Sequence, residues 1–287
     1  MKVKSVIRIR SGQDGAIWGA FLFRFQSDGS CYVYELERLA ESKSEEAESF
    51  AQFRLDRAGE LCPHSNTVCF GTAYAVDGDE FPLLYTNIYN TYAKEENRME
   101  GVCCVYRLWR EGAAFHTELV QLIRVGFTKD PALWCSPDER DVRPYGNFTI
   151  DRARGLLYAF TMRDEGETTR YFVFRLPTLR DGVKDGRYGV PVVTLDPADI
   201  VEWFDCPYQH YVQGACTHKG RIYSLEGFTN NEVHAPALRV IDPVQRREIA
   251  AYRLAEFGLA IEPELIDFCA ERCIYADHPG NIYEIEF

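Results

Sequence analysis

Short apolar runs, separated by turns rich in Gly, Asp and Asn, recur along the whole chain, and helical spacing over ten or more residues is scarce. Several of the runs are copies of one another. "GNFTIDRARGLLY" (Gly146 to Tyr158), "QGACTHKGRIY" (Gln213 to Tyr223) and "EPELIDFCAERCIY" (Glu262 to Tyr275) share one plan: a small or acidic start, a short apolar segment, a turn, and an apolar pair ending in Tyr. A looser copy with a longer turn is "SNTVCFGTAYAVDGDEFPLLY" (Ser65 to Tyr85), and the most divergent is "DGAIWGAFLFRF" (Asp14 to Phe25). Each copy is followed by a third apolar segment: "CYVYELER", "VCCVYRLW", "YFVFRLPT", "ALRVIDPV" and "NIYEIEF". Four of the copies are then followed by a further one: "SFAQFRL", "TELVQLIRV", "VPVVTL" and "EIAAYRL".

Such repetition predicts an all-β fold of four-stranded units arranged radially, a β-propeller of five blades. The last unit stops at Phe287 before a fourth strand, and "KVKSVIRI" at the start is a strand without a unit. The economical reading is that the N-terminal strand completes the last blade and closes the ring, which removes open sheet edges. No linker or break in composition divides residues 1–287, so a single domain is expected. The acidic run "LAESKSEEAESF" (Leu39 to Phe50) reads as a loop or a single turn. The tyrosines that end the repeats, Tyr85, Tyr158, Tyr223 and Tyr275, are expected to pack between blades.

Composition narrows the function. The chain has 287 residues, of which 46% are hydrophobic and 14% aromatic, enough for a large core. Its 32 Lys and Arg stand against 44 Asp and Glu, a formal charge of −12. That balance argues against nucleic acid as a partner and against an anionic membrane surface. No run of apolar residues is long enough to span a bilayer, and the charges in "MKVKSVIRIR" interrupt any signal-peptide core. A cytoplasmic location is therefore expected, with the ten cysteines read as reduced, small apolar residues. No CxxC pair occurs; "CPHSNTVC" (Cys62 to Cys69) holds His64 but lacks a second cluster, so neither a metal site nor a cofactor is expected. Nucleotide-binding and hydrolase motifs are also absent from the sequence.

In a propeller the inner strands line a central channel and their entry loops converge on one face, which makes the first residues of each repeat the candidates for function. They are Gln13 and Asp14; His64 and Asn66; Tyr145 and Asn147; His210 and Gln213; and Glu262 and Glu264. Each blade contributes a polar side chain. The same side chains can equally serve neighbouring backbone groups or ordered water. Asp14 and Glu264 are the candidate catalytic carboxylates, a pair of the kind acid–base chemistry uses. Two long segments enter the same face, 127–144 with Trp134 and 195–210 with Trp203 and Tyr208. Trp134 or Tyr145 would offer a stacking face, whereas Trp203 reads as a plug between blades.

Val212 to Leu254 resembles a blade of the plant and bacterial glutamine cyclotransferase family. The matching residues are Gln213-Gly214, Gly220 to Tyr223 and Leu238 to Pro243, and "EPELIDF" at Glu262 is similar to inner-strand openings of several propeller families. The resemblance implies a five-bladed propeller with Gln213 and Glu264 at comparable inner-strand starts. Blades one and two lack the family's inner-strand motifs, and the family is usually exported, while this sequence shows no signal segment. Three functions remain open: binding of a small polar ligand (a sugar or short peptide) at the central pocket; an enzyme, either cyclising aminoacyl groups or cleaving glycosides; and a scaffold that meets a protein partner on its rim.

Overall fold

A computed structural model describes residues 1–42, 44–88, 101–125, 143–162, 168–209 and 211–287, with backbone alone for 143–146 and 162. Strand β1 (Lys2–Arg8) precedes blade one, which is built from β2 (Gly15–Trp18), β3 (Phe21–Phe25), β4 (Ser30–Glu35) and β5 (Ala51–Arg54). Blade two contains β6 (Val68–Phe70), β7 (Leu84–Asn87), β8 (Val102–Glu111) and β9 (Ala114–Val125). Blade three begins with β10 (Arg143–Asp151), β11 (Leu156–Met162) and β12 (Thr168–Arg175). The short hairpin β13 (Val183–Lys184) and β14 (Pro191–Leu195) comes next, and β15 (Glu202–Pro207) then completes blade three. Blade four is β16 (Val212–His218), β17 (Arg221–Glu226), β18 (Ala237–Asp242) and β19 (Arg247–Arg253). Blade five is β20 (Pro263–Cys269), β21 (Arg272–Asp277) and β22 (Asn281–Glu286).

Strand β1 pairs antiparallel with β22, from Lys2 opposite Glu286 to Arg8 opposite Asn281, so the N-terminus supplies the fourth strand of blade five. The inner strands are β2, β6, β10, β16 and β20. Each packs on the next, and β20 returns to β2, closing the ring.

Five apolar clusters fill the five wedges between blades. The wedge between blades one and two is rich in aromatic rings, with Phe21, Phe23, Phe70, Phe81 and Phe115 linked by a network of ring contacts. Such ring pairs add about 0.5–1.5 kcal/mol each beyond the area they bury. The repeat tyrosines lie in these wedges as expected: Tyr85 between blades two and three, Tyr158 between three and four, Tyr223 and Tyr275 between four and five.

The fold departs from the sequence reading in two places. "VPVVTL" does not complete blade three; β14 runs parallel to β9 and extends blade two, with Val192 opposite Leu122 and Leu195 opposite Val125. The fourth strand of blade three is β15, "EWFDCP", antiparallel to β12. Both segments are apolar and strand-forming, and the choice between them rests on which free edge each reaches, which is a long-range matter. Trp203 consequently stands on the outer strand and not between blades. Its residue is 51% exposed, with the Arg170 guanidinium 4.1 Å above its ring and Asp205 gripping that guanidinium at 2.8 Å through both oxygens. Helix α1 (Leu36–Glu41) ends three residues into the acidic run and anchors Leu36 and Leu39 in the core. Among the described residues no helix is long and apolar enough to cross a membrane.

Candidate functional site

Inner strands β16 and β20 carry the same irregularity. Val212 pairs with Glu226 and Gly214 with Leu225, leaving Gln213 as an extra residue. Pro263 pairs with Asp277 and Leu265 with Ala276, leaving Glu264 as the extra residue. A bulge of this kind bends the strand and re-aims the side chain it carries. Gln213 and Glu264 are thus presented alike, at the entry end of the channel, in neighbouring blades.

Glu264 is almost enclosed: its side chain is 2% exposed. Its Oε1 lies 2.9 Å from His278 Nδ1 and accepts from Gln13 Nε2 at 3.5 Å. Its Oε2 makes no hydrogen bond among the described residues. Burial pushes the Glu264 carboxyl up to about 7, against the opposing pull of the His278 hydrogen bond and of Arg24. The same hydrogen bond raises His278 above the ordinary histidine range. Glu262 sits beside the pair, its Oε1 accepting from Gln213 Nε2 at 2.7 Å, and burial raises this carboxyl too. Two acids, an imidazole and two amides therefore converge at one mouth.

Asp14 lies deeper. It is fully buried, its Oδ2 accepts from the Val68 N–H at 2.9 Å, and desolvation holds its carboxyl well above the usual range. A methyl group at Gly214 would meet Glu264 O at 2.4 Å and Asp14 Oδ1 at 3.2 Å. Gly214 is small because three inner strands meet there. Asn66 is occupied by the scaffold: its Nδ2 donates to Val212 O at 3.2 Å and its Oδ1 accepts from Asn87 Nδ2. Asn147 is buried with Oδ1 unpaired among the described residues. His64 is partly buried, and desolvation lowers its pKa. Trp134 and His210 lie outside the described residues, as does the Tyr145 side chain.

The structure thus brings together Gln13, Gln213, Glu262 and Glu264, and separates Asp14 and Asn66 from that mouth as buried members of the frame. Sequence reasoning missed His278 and Arg24. The segment "DHPG" reads as a turn, and only the bulged register of β20 against β21 reveals that its histidine sits over Glu264. Arg24, in the middle of the apolar run "FLFRF", is entirely buried. A charge in the interior of a core strand is the signal that was available. At the opposite end of the channel, Asp267 accepts from the Ile17 N–H at 2.7 Å, and the Arg152 guanidinium lies 5.4 Å over Trp18. A surface groove of about 660 Å³ lies away from Glu264, between blades four and five, lined by Lys4, His218, Tyr223, Phe268 and Phe287 among others.

No family model matches the chain, and no curated protein does. Among solved structures it is similar to the glutaminyl cyclase of Myxococcus xanthus, with 12% identity and a TM-score of 0.50, over 100% of this chain and 94% of that one. Similarity extends to the computationally designed Ika8 protein, at 9% identity and a TM-score of 0.36, over 99% of this chain and 100% of that one. Saccharomyces cerevisiae Sqt1 is similar at 8% identity and a TM-score of 0.35, over 93% of this chain and 55% of that one. At these identities the likeness is one of fold.

Proposed function

We propose that the entry mouth of the channel binds a small polar substrate bearing a free amino group, and that Glu264 moves protons on it, the reaction being cyclisation of an N-terminal glutaminyl residue. The observation that carries this reading is the Glu264 carboxyl itself: enclosed, aimed by a bulge, with one oxygen free and a pKa near neutrality. A general base works best when its pKa lies near the working pH. In the reaction, the α-amine attacks the side-chain amide carbon and passes a proton to Glu264. The new C–N bond forms as the amide C–N bond breaks, and the proton returns to the departing ammonia. Glu262 places negative charge beside the substrate's amino group, which attacks as the neutral amine, and Gln213 orients Glu262. The likeness to a glutaminyl cyclase fold agrees with this chemistry. Asp14 has less claim to glycoside chemistry, since its Oδ2 is held by the Val68 N–H and its Oδ1, though unpaired among the described residues like Glu264 Oε2, has no half-exposed imidazole beside it such as His278 gives Glu264.

The test is incubation of N-terminal-glutaminyl peptides with the wild type and with Glu264→Gln, following release of ammonia. Product from the wild type and none from the variant supports the reading. Equal product from both, or none from either over a panel of peptides, removes it. Melting of the wild type with the same peptides separates binding without turnover, because a ligand at about a hundred times its dissociation constant adds roughly 2.7 kcal/mol.

A further inference from the structure

The two side chains that reach Glu264 Oε1 come from different blades, and one guanidinium ties both of their chain segments together. Arg24 Nη2 donates to Gly12 O at 2.7 Å and to Asp277 O at 2.8 Å. Gly12 directly precedes Gln13, and Asp277 directly precedes His278. The same two segments are joined again by the Gly12 N–H, which donates to His278 O at 3.2 Å. Gly12 leaves room for this: a methyl group there would stand 2.6 Å from Phe25 O and 3.0 Å from Arg24 Nε.

Arg24 is the only charged side chain of β3, and it has no exposure. Burying a permanent cation costs several kcal/mol unless its surroundings repay it, and two backbone carbonyls answer only one of its three nitrogens. Nε and Nη1 are unpaired among the described residues. The charge instead acts through space on Glu264, Asp14 and Asp277.

We propose that Arg24 is a positioning residue of the Glu264–His278 pair: it fixes Gln13 and His278 against the carboxylate and keeps a permanent positive charge beside it. The charged and titratable groups around the pair and its guanidinium are Glu262, ahead of β20, and Arg24 from β3, which act on Glu264 and His278 directly, Tyr275 from β21, which faces Glu264, and Asp14, just ahead of β2, and Asp277, at the end of β21, which act on Arg24. Four of these five are acids, so Arg24 supplies the lone permanent cation in that set. It favours the ionised form of Glu264 and opposes the protonated form of His278, which lowers both titrations.

This inference takes the Glu264–His278 pair as the working centre of the proposed site, but its test uses the chain alone, with no substrate. The His278 ring is titrated by NMR in the wild type, Arg24→Met and Arg24→Lys. Met keeps the bulk and removes charge and donors; the midpoint is expected to rise by about one pH unit. Lys keeps the charge but replaces the planar fork with an ammonium; the midpoint is expected to stay near that of the wild type while the His278 ring N–H exchanges faster with water. A folded Arg24→Met with an unchanged midpoint overturns the proposal, as does an Arg24→Lys midpoint displaced as far as that of Met. If Arg24→Met does not fold, Arg24→Lys decides alone: wild-type midpoint with wild-type exchange overturns the positioning role. A wild type that shows these signatures yet turns over no glutaminyl peptide refutes the cyclisation reading and leaves the role of Arg24 standing.

Discussion

Glu264 Oε1 and His278 Nδ1 stand 2.9 Å apart, the carboxylate side chain 2% exposed and the imidazole 51% exposed. One partner is sheltered from water and the other meets it. The imidazole therefore links the enclosed carboxyl to the solvent-facing side of the mouth.

Burial of Glu264 has a consequence for stability. Its pKa is about 7 in the folded chain against 4.5 for the ordinary group. Between those values the folded state keeps a proton that the unfolded chain has released, so stability falls as pH rises. The contribution is complete below pH 4.5 and lost as pH passes 7. Asp14 and His278, also raised, act in the same direction, while His64 and His218, lowered by burial, oppose it below their ordinary value. Glu264→Gln removes one term: its melting temperature should fall less between about pH 5 and about pH 8 than that of the wild type, by the equivalent of roughly 3 kcal/mol at most. Identical pH profiles would show that Glu264 titrates normally.

Gly214→Ala should destabilise the fold by about 1–3 kcal/mol, the usual cost of overpacking. The added methyl meets backbone, Glu264 O at 2.4 Å, which cannot swing aside as a flexible side chain would. Chemical denaturation reads the effect. Wild-type stability in the variant would mean that the inner strands can part.

The Arg239 side chain is 16% exposed and bridges Glu226 and Glu248, both at 2.7 Å. Arg239→Met removes the guanidinium paired with the Glu226 carboxylate, which is 5% exposed, and breaking so enclosed an ion pair should cost about 3–5 kcal/mol. Arg110→Met removes an open pair with Glu80, whose side chain is 43% exposed, and should cost under about 1 kcal/mol. Equal losses in denaturant melts would contradict the distinction.

Deletion of the first eight residues opens the ring by removing the strand that pairs with β22. The truncated chain should lose its single cooperative melt or self-associate through the exposed edge, which light scattering and calorimetry would reveal. A monomeric chain with an unshifted melt would show that ring closure contributes little.

Asp14 and Glu264 separate by role. Asp14→Asn keeps an oxygen for the Val68 N–H and should leave ligand-induced melting shifts in place, whereas Glu264→Gln should abolish them. Loss of the shift in a folded Asp14→Asn would place Asp14 at the ligand.

The blades are legible in the sequence because each inner hairpin is local: "THKG" returns β16 to β17 within a few residues, and the alternation of the flanking strands states which face is buried. Ring closure is legible for a similar reason, since one strand is left over at the start and one place is left open at the end. The inner-strand starts of blades four and five are likewise visible, and Gln213, Glu262 and Glu264 do meet. What escapes the sequence depends on long-range partners. Whether "VPVVTL" or "EWFDCP" completes blade three depends on which sheet edge each one reaches, and both have strand-forming patterns. That Asp14 faces inward to Val68 while Glu264 faces the mouth depends on a bulge, one extra residue whose register no periodicity reports. Arg24 acquires meaning only from a segment more than two hundred residues away, and His278 from a carboxylate that the bulge of β20 turns toward it, because burial and charge at a site are properties of the assembled interior and not of any segment within it.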